Sequence, residues 1–324
     1  MASWNAKTTA QEAASVLQNE IKGKNVLITG VSPHSLGAET VRALAPYAKT
    51  IIIASRTRSK VDEVIAEVKT DAPSASFIFV ALDLASLASV KTAAAEVNAL
   101  GLPIHVLINN AAVPHYPALT RTADGFEAQM GANHLGHFLF DSLVMPSIKL
   151  AAKDGSARIV VVSSLSILWG GELRFDDMFY EKRPEEYKNT TAYAQSKTAN
   201  ILFARSLAKK AAKDNILVFS LNPGVIMETG AGTGVATRLA GLKAYGLIDD
   251  EGNPTLPNRF RTIEQGTSTQ VIASFDPSLK DKSGAFLLDG VLADGHLPAF
   301  AKDEALGEQL WELSEQLVGH KFDI

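Results

Sequence analysis

Residues 25–40 read NVLITGVSPHSLGAET, and the fold turns on how this stretch divides. Residues 25–29 form an apolar, β-branched run, Thr29-Gly30 stops it, and Gly37 opens a segment of helical character. A strand that ends in glycine and feeds a helix aims backbone N–H groups and the positive helix end at one point, where a pyrophosphate can be held. The loop is longer than the common short form and carries Pro33, His34 and Ser35 where a glycine is expected. The hydroxyls of Ser32 and Ser35 can donate to phosphate in its place. Gly30, Leu36 and Gly37 complete the expected nucleotide turn.

Working outward, similar short runs recur at 50–54, 76–82, 105–109, 158–164, 216–222 and 285–290, with helical stretches between them. That rhythm predicts a doubly wound α/β Rossmann fold: about seven parallel strands, helices on both faces, and a ligand crevice at the carboxyl ends of the strands. No repeat, low-complexity tract or linker divides residues 1–324, which read as one domain. Thr9 followed by Glu12 has the form of a capping box and predicts a short surface helix over 10–21, within an N-terminal arm of residues 1–22. Residues 230–267 are too long for an ordinary connection and predict a substrate lid. Gly230, Gly232, Gly234, Gly241 and Gly246 permit movement, and Leu239, Leu242, Tyr245 and Leu247 offer apolar surface.

Composition narrows the partners. The net charge is −4 with no basic block, which excludes the electrostatic footprint of nucleic-acid binding. The chain has no cysteine, so disulfides, thiolate metal sites and a cysteine nucleophile are excluded, and a cytoplasmic setting is expected. No charged start leads into an apolar stretch, and no run approaches the roughly 18 apolar residues of a membrane span.

The chemistry-bearing residues fall after strands. The second strand runs into Ala54-Ser55-Arg56-Thr57-Arg58 without the carboxylate that an NAD site places there, and Arg56 suits the 2′-phosphate of NADP(H). Asp83-Leu84 follows the third strand, Asn109 to Ala112 the fourth, and Ser163-Ser164 the fifth. Asn133 lies between the fourth and fifth, Tyr193 and Lys197 lie on a helix predicted over 191–213, and Pro223-Gly224-Val225 follows the sixth strand. His134 and His137 share a helix face but lack a third ligand, so packing or hydrogen bonding is expected and no metal. Leu165, Ile167, Leu168 and Trp169 suit either a pocket wall or the core.

In this order the motifs resemble the short-chain dehydrogenase/reductase superfamily. The long gap between Ser164 and Tyr193, with DPSLKDKSGAFLLDG near the C-terminus, is similar to its retinol dehydrogenase and WW-domain oxidoreductase branch, fungal relatives included, over about residues 22–300. The resemblance implies a catalytic set of Asn133, Ser164, Tyr193 and Lys197. It implies NADP(H) contacts from Gly30, Ser32, Ser35, Leu36, Gly37, Ser55, Arg56, Asp83, Leu84, Asn110, Ala111, Ala112, Tyr193, Lys197, Pro223, Gly224, Val225 and Thr229. It adds that Lys197 also grips the nicotinamide ribose and that Asn133 supports a proton-relay water. Three departures stand out: the altered glycine turn, alanine in Asn110-Ala111-Ala112 where glycine is usual, and Thr229 arriving one residue late.

Tyr193 and Lys197, four apart, project from one helix face. A neighbouring cation would draw the phenol from its free pKa near 10 toward working pH, so that Tyr193 can exchange a proton with a carbonyl or alcohol while Ser164 holds the substrate oxygen. The resulting expectation is an NADP(H)-dependent carbonyl reductase or alcohol dehydrogenase acting on a mostly apolar small molecule, with a homodimer left open. The alternatives are a non-redox epimerase, dehydratase or cyclase, and an NADP-binding interaction protein without turnover.

Overall fold

The apolar runs pair edge to edge in a computed structural model of the chain, which describes residues 3–113, 116–153, 155, 157–227 and 235–324, without the side chains of 235–238. The strands are β1 (Asn25–Thr29), β2 (Thr50–Ser55), β3 (Phe77–Ala81), β4 (Val106–Asn109), β5 (Ala157–Val162), β6 (Ile216–Asn222), β7 (Val225–Ile226), β8 (Phe260–Arg261), β9 (Phe286–Leu288) and β10 (Val291–Leu292). The main sheet has the order β10-β9-β6-β5-β4-β1-β2-β3. All its pairs are parallel except β9 with β10, while β7 and β8 make a separate short ladder. The order reverses between β1 and β4, and a reversal of this kind opens a crevice at the carboxyl ends of the strands.

The expected sheet of about seven parallel strands is therefore eight-stranded with one antiparallel edge. After Leu288 the backbone turns through left-handed Asp289 (φ 52) and Gly290 (φ 77), which sends Val291 and Leu292 back along β9.

Helices cover both faces. The α-helices are α1 (Ala10–Val16), α2 (Gln18–Ile21), α3 (Leu36–Leu44), α4 (Arg58–Asp71), α5 (Leu87–Ala99), α6 (Ala128–Met130), α7 (Gly136–Lys153), α8 (Asn189–Lys210), α9 (Val235–Ala244), α10 (Ile263–Phe275) and α11 (Glu304–Val318). Alternate residues of each strand serve opposite cores. Leu27, Leu107, Ile159 and Val218 pack with α5, α7 and α8, whereas Val26, Ile28, Val106 and Phe219 pack with α1, α3 and α10. Two-sided burial is why these strands read as unbroken apolar runs. No helix among the described residues is long and apolar enough to cross a membrane.

The arm is not a surface helix. Its capping box forms as expected, with Thr9 N donating to Glu12 at 2.8 Å and Glu12 N to the Thr9 hydroxyl at 3.2 Å. The helix then breaks at Leu17, and Ala10, Ala13, Ala14 and Ile21 are fully buried. The small alanine face lets α1 lie close against α3 and α10.

The lid bounds also shift. Thr229, Gly230, Gly232 and Gly234 lie outside the described residues, α9 follows, and α10 begins at Ile263 behind a capping box of Thr262 and Gln265. Residues 263–267 thus belong to a core helix. Gly266 is required there because a Cβ would stand 2.6 Å from the Pro223 carbonyl oxygen. Helix α8 starts and ends a few residues before its expected bounds, closing into a short 3₁₀ turn over Ala212–Asp214.

Candidate active site

The nucleotide turn is held by its own residues. Gly30 has φ +75, and a Cβ on it would lie 2.6 Å from the Ala111 backbone; a Cβ on Gly37 would lie 2.3 Å from the Gly30 carbonyl oxygen. The two glycines therefore permit chain to pass chain, independently of any ligand. In the altered loop His34 adopts the left-handed conformation, φ +54, otherwise supplied by glycine. Ser35 caps α3 by accepting from Ala38 N at 3.1 Å and donates its hydrogen to the Ser32 carbonyl at 2.6 Å. Its hydroxyl is thereby committed within the loop, a departure from the expected donation to phosphate. Ser55 clasps the same loop through Val31 N at 2.6 Å. Ala111 and Ala112 are not left-handed, so alanine costs nothing in backbone strain there.

These residues border one continuous groove. It runs from Gly30, Ser32, Ser35 and Leu36 past Ser55, Arg56 and Lys60, then Asp83 and Leu84, then Asn110 to Val113, and ends at Lys197 and Pro223. Gly37 and Val225 stand just outside it. Arg56 and Lys60 have no anionic partner among the described residues, whereas Arg58 pairs with Asp62 and lies over the Phe79 ring. Lys60 was missed from the sequence, although its position four residues beyond Arg56 was readable. The groove suits a dinucleotide: the start of α3 at one wall, unpaired cations at the far end of β2, and an amide-lined middle.

Thr29 organises that middle. Its hydroxyl oxygen accepts from Asn110 N at 3.1 Å and Ala111 N at 3.0 Å. Its own hydrogen is left for His137 Nε2 at 2.9 Å, so His137 carries its proton on Nδ1 and donates it to the Asn133 carbonyl at 3.1 Å. Asn133 stands in a π-helical turn, Gly131–Leu135, ahead of α7. Its amide clamps Val113 through both backbone groups and donates to Ser196 at 3.0 Å. His134 bonds Ser314 at 2.8 Å. Both imidazoles are buried, and burial pushes them down to about 3, so they stay neutral.

At the end of β5, Ser163 donates to the Lys197 carbonyl at 2.6 Å and seats α8 against the strand. Ser164 Oγ accepts from Ser166 N at 3.1 Å and hydrogen-bonds the Tyr193 phenol. The Lys197 ammonium donates to the Val162 carbonyl at 3.0 Å and lies 5.6 Å from the centre of the Tyr193 ring. Burial drives the Tyr193 phenol up to about 12, against the Ser164 hydrogen bond, and drives Lys197 down to about 7. The expected drop of the phenol toward neutral pH is thus not a property of this chain by itself: desolvation outweighs the Ser164 hydrogen bond.

A second cavity of about 420 Å³ opens on the other side of Tyr193. Leu165, Leu168 and Trp169 line it, whereas Ile167 is core, which divides the apolar run after Ser164. From the expected lid, Leu242, Tyr245 and Leu247 line it and Leu239 does not. The groove and this cavity share Ser164, Tyr193, Gly224 and Ile226. Arg259, Arg261 and Asp289 also line the cavity, and no local sequence signal announced them.

Comparison with known proteins agrees with this arrangement. The family described as short chain dehydrogenase matches residues 24–173. Retinol dehydrogenase 14 of Mus musculus is 34% identical over 307 residues, covering 92% of this chain and 86% of its own. Retinol dehydrogenase 12 of Mus musculus is 32% identical over 304 residues, covering 94% and 89%. The crystal structure of an uncharacterised protein from Mycobacterium paratuberculosis superposes with a TM-score of 0.70 at 27% identity, covering 95% of this chain and 98% of that one. A Rossmann sheet with a nucleotide groove at its switch point, and relatives this similar over nine-tenths of the chain, make this protein an oxidoreductase of the short-chain dehydrogenase family.

Proposed function

We propose that the protein is an NADP(H)-dependent oxidoreductase that reduces a ketone or aldehyde on a mostly apolar small molecule to the alcohol. The observation that carries this reading is the meeting of the nucleotide groove and the apolar cavity at Ser164 and Tyr193. A nicotinamide bound in the groove supplies the hydride. The chain's own part is at the oxygen: Ser164 donates a hydrogen bond to the carbonyl, and Tyr193, protonated up to about pH 12, gives it a proton. Lys197, which lines the groove beside the ring, would hold a ribose hydroxyl. Arg56 and Lys60 favour the 2′-phosphate, a charge-assisted contact worth roughly 1.5–3 kcal/mol. Residues 235–262 act as the lid.

The test is a screen of apolar ketones and aldehydes with NADPH and NADH, followed by nicotinamide absorbance. Tyr193→Phe should lose at least about 10²-fold in kcat while NADPH affinity stays within a few fold. Arg56→Asp should reverse the cofactor preference. Tighter binding of NADH than NADPH by the unaltered protein would refute the cofactor assignment, and retained turnover in Tyr193→Phe would refute the proton donor.

A further inference from the structure

The cavity beside Tyr193 is apolar along most of its wall, yet two arginines face it from adjacent turns of chain. Arg261 is fully engaged: its guanidinium makes a two-point pair with Asp289, at 2.8 and 2.7 Å, and its stem crosses Gly224. Asp289 is the acid that lines the cavity among the described residues, and this pair neutralises it. Arg259 has no such partner. Its guanidinium lies 5.7 Å over the Trp169 ring, with no carboxylate or carbonyl bonded to it among the described residues. Resting on an aromatic face orients a guanidinium while leaving its in-plane N–H donors open, the geometry that takes a carboxylate in two-point fashion.

The direction of the cavity follows from a chain of ring contacts. Trp169 packs on Tyr245 with centroids 5.2 Å apart, and Tyr245 in turn lies close enough to Tyr193 to raise its own phenol further. Arg259 and Tyr193 are thus joined through these two rings, and Leu165, Leu242 and Leu247 line the same cavity.

We propose that the substrate is an amphiphilic keto acid: a carbonyl at Tyr193, a flat apolar body along the aromatic wall, and a carboxylate held by Arg259 at the far end. This rests on the oxidoreductase reading above and assigns the substrate class it left open. Recognition at both ends selects length as well as charge, because a shorter acid leaves one group unpaired.

The experiment compares 4′-acetylbiphenyl-4-carboxylate with its methyl ester, in turnover with NADPH and in binding. Binding is read from the fluorescence of Trp169, the cavity's own indole, with Trp169→Phe as the blank. The acid should bind and react with a KM or Kd lower than the ester's by about tenfold or more, and Arg259→Gln should collapse that ratio to near one, with Arg259→Lys between. Equal treatment of acid and ester by the unaltered protein, or a ratio untouched by Arg259→Gln, overturns the proposal while the oxidoreductase reading stands. Charge-dependent binding that Arg259→Gln removes, without turnover of either ketone, upholds the anion site and overturns the reductase reading instead.

Discussion

Thr29 has one hydroxyl and three neighbours that use it, and that arithmetic fixes the tautomer of His137 and the orientation of the Asn133 carbonyl. At this scale the interior depends on neutral imidazoles. In the folded chain His134 and His137 take up the second, charging proton only below about 3, against 6.5 when exposed. Between those values the unfolded chain takes up protons that the folded chain refuses, so stability falls as pH drops from about 6.5 toward 3 and is recovered above 6.5. The limit is about 1.4 kcal/mol per pH unit for each ring. His134→Gln, which can still reach Ser314, should make this decline shallower by one ring's share. Urea midpoints at about pH 7 and about pH 5 check it. Parallel declines in the two proteins would show that His134 is not the group responsible.

At the scale of elements, α8 is the bench on which the site is mounted. Ser163 seats it on β5, Tyr193 and Lys197 share one face, and Tyr245 reaches its first turn by donating to the Thr190 carbonyl at 3.0 Å. That last bond latches the segment after α9 to α8. Tyr245→Phe should keep the ring stacked on Trp169 yet release the latch, raising KM by about 3- to 10-fold with kcat changed little, one lost hydrogen bond being worth about 1 kcal/mol. Limited proteolysis within 235–262 should quicken in parallel. If both readouts match the unaltered protein, the latch is not what holds the segment. Much of this scale was legible beforehand, because two-sided burial makes each strand an apolar run and most of the expected nucleotide contacts follow strands. The boundary of α10 was not. Gly266 and Thr267 read as loop, whereas the glycine is there to let the helix pass Pro223. The Arg261–Asp289 pair was equally hidden, since 28 residues and a cavity separate two side chains that meet only in the folded chain. Ser35 looked like a phosphate donor because hydroxyl chemistry can be read from a sequence and the direction of its hydrogen cannot.

For the whole molecule, the N-terminal arm is a closing strap. The Trp4 indole N–H donates to Asp276, and its side chain packs on Gly290. The backbone carbonyls of Ala273 and Asp276 receive the buried Arg158 guanidinium from β5, at 3.0 and 2.8 Å. Removing residues 3–22 should cost at least about 3 kcal/mol, because it uncovers the apolar faces of α3 and α10 together. Denaturant titration checks the figure, and an unchanged midpoint would show that the arm is dispensable. The strap also sets the order of birth. Trp4 and Asp276 are 272 residues apart, so α1 waits for α10 to be synthesised before its alanine face is fully covered. Nascent chains arrested before α10 has emerged should leave residues 3–22 open to protease or held by a chaperone. Chains arrested beyond β10 should protect them.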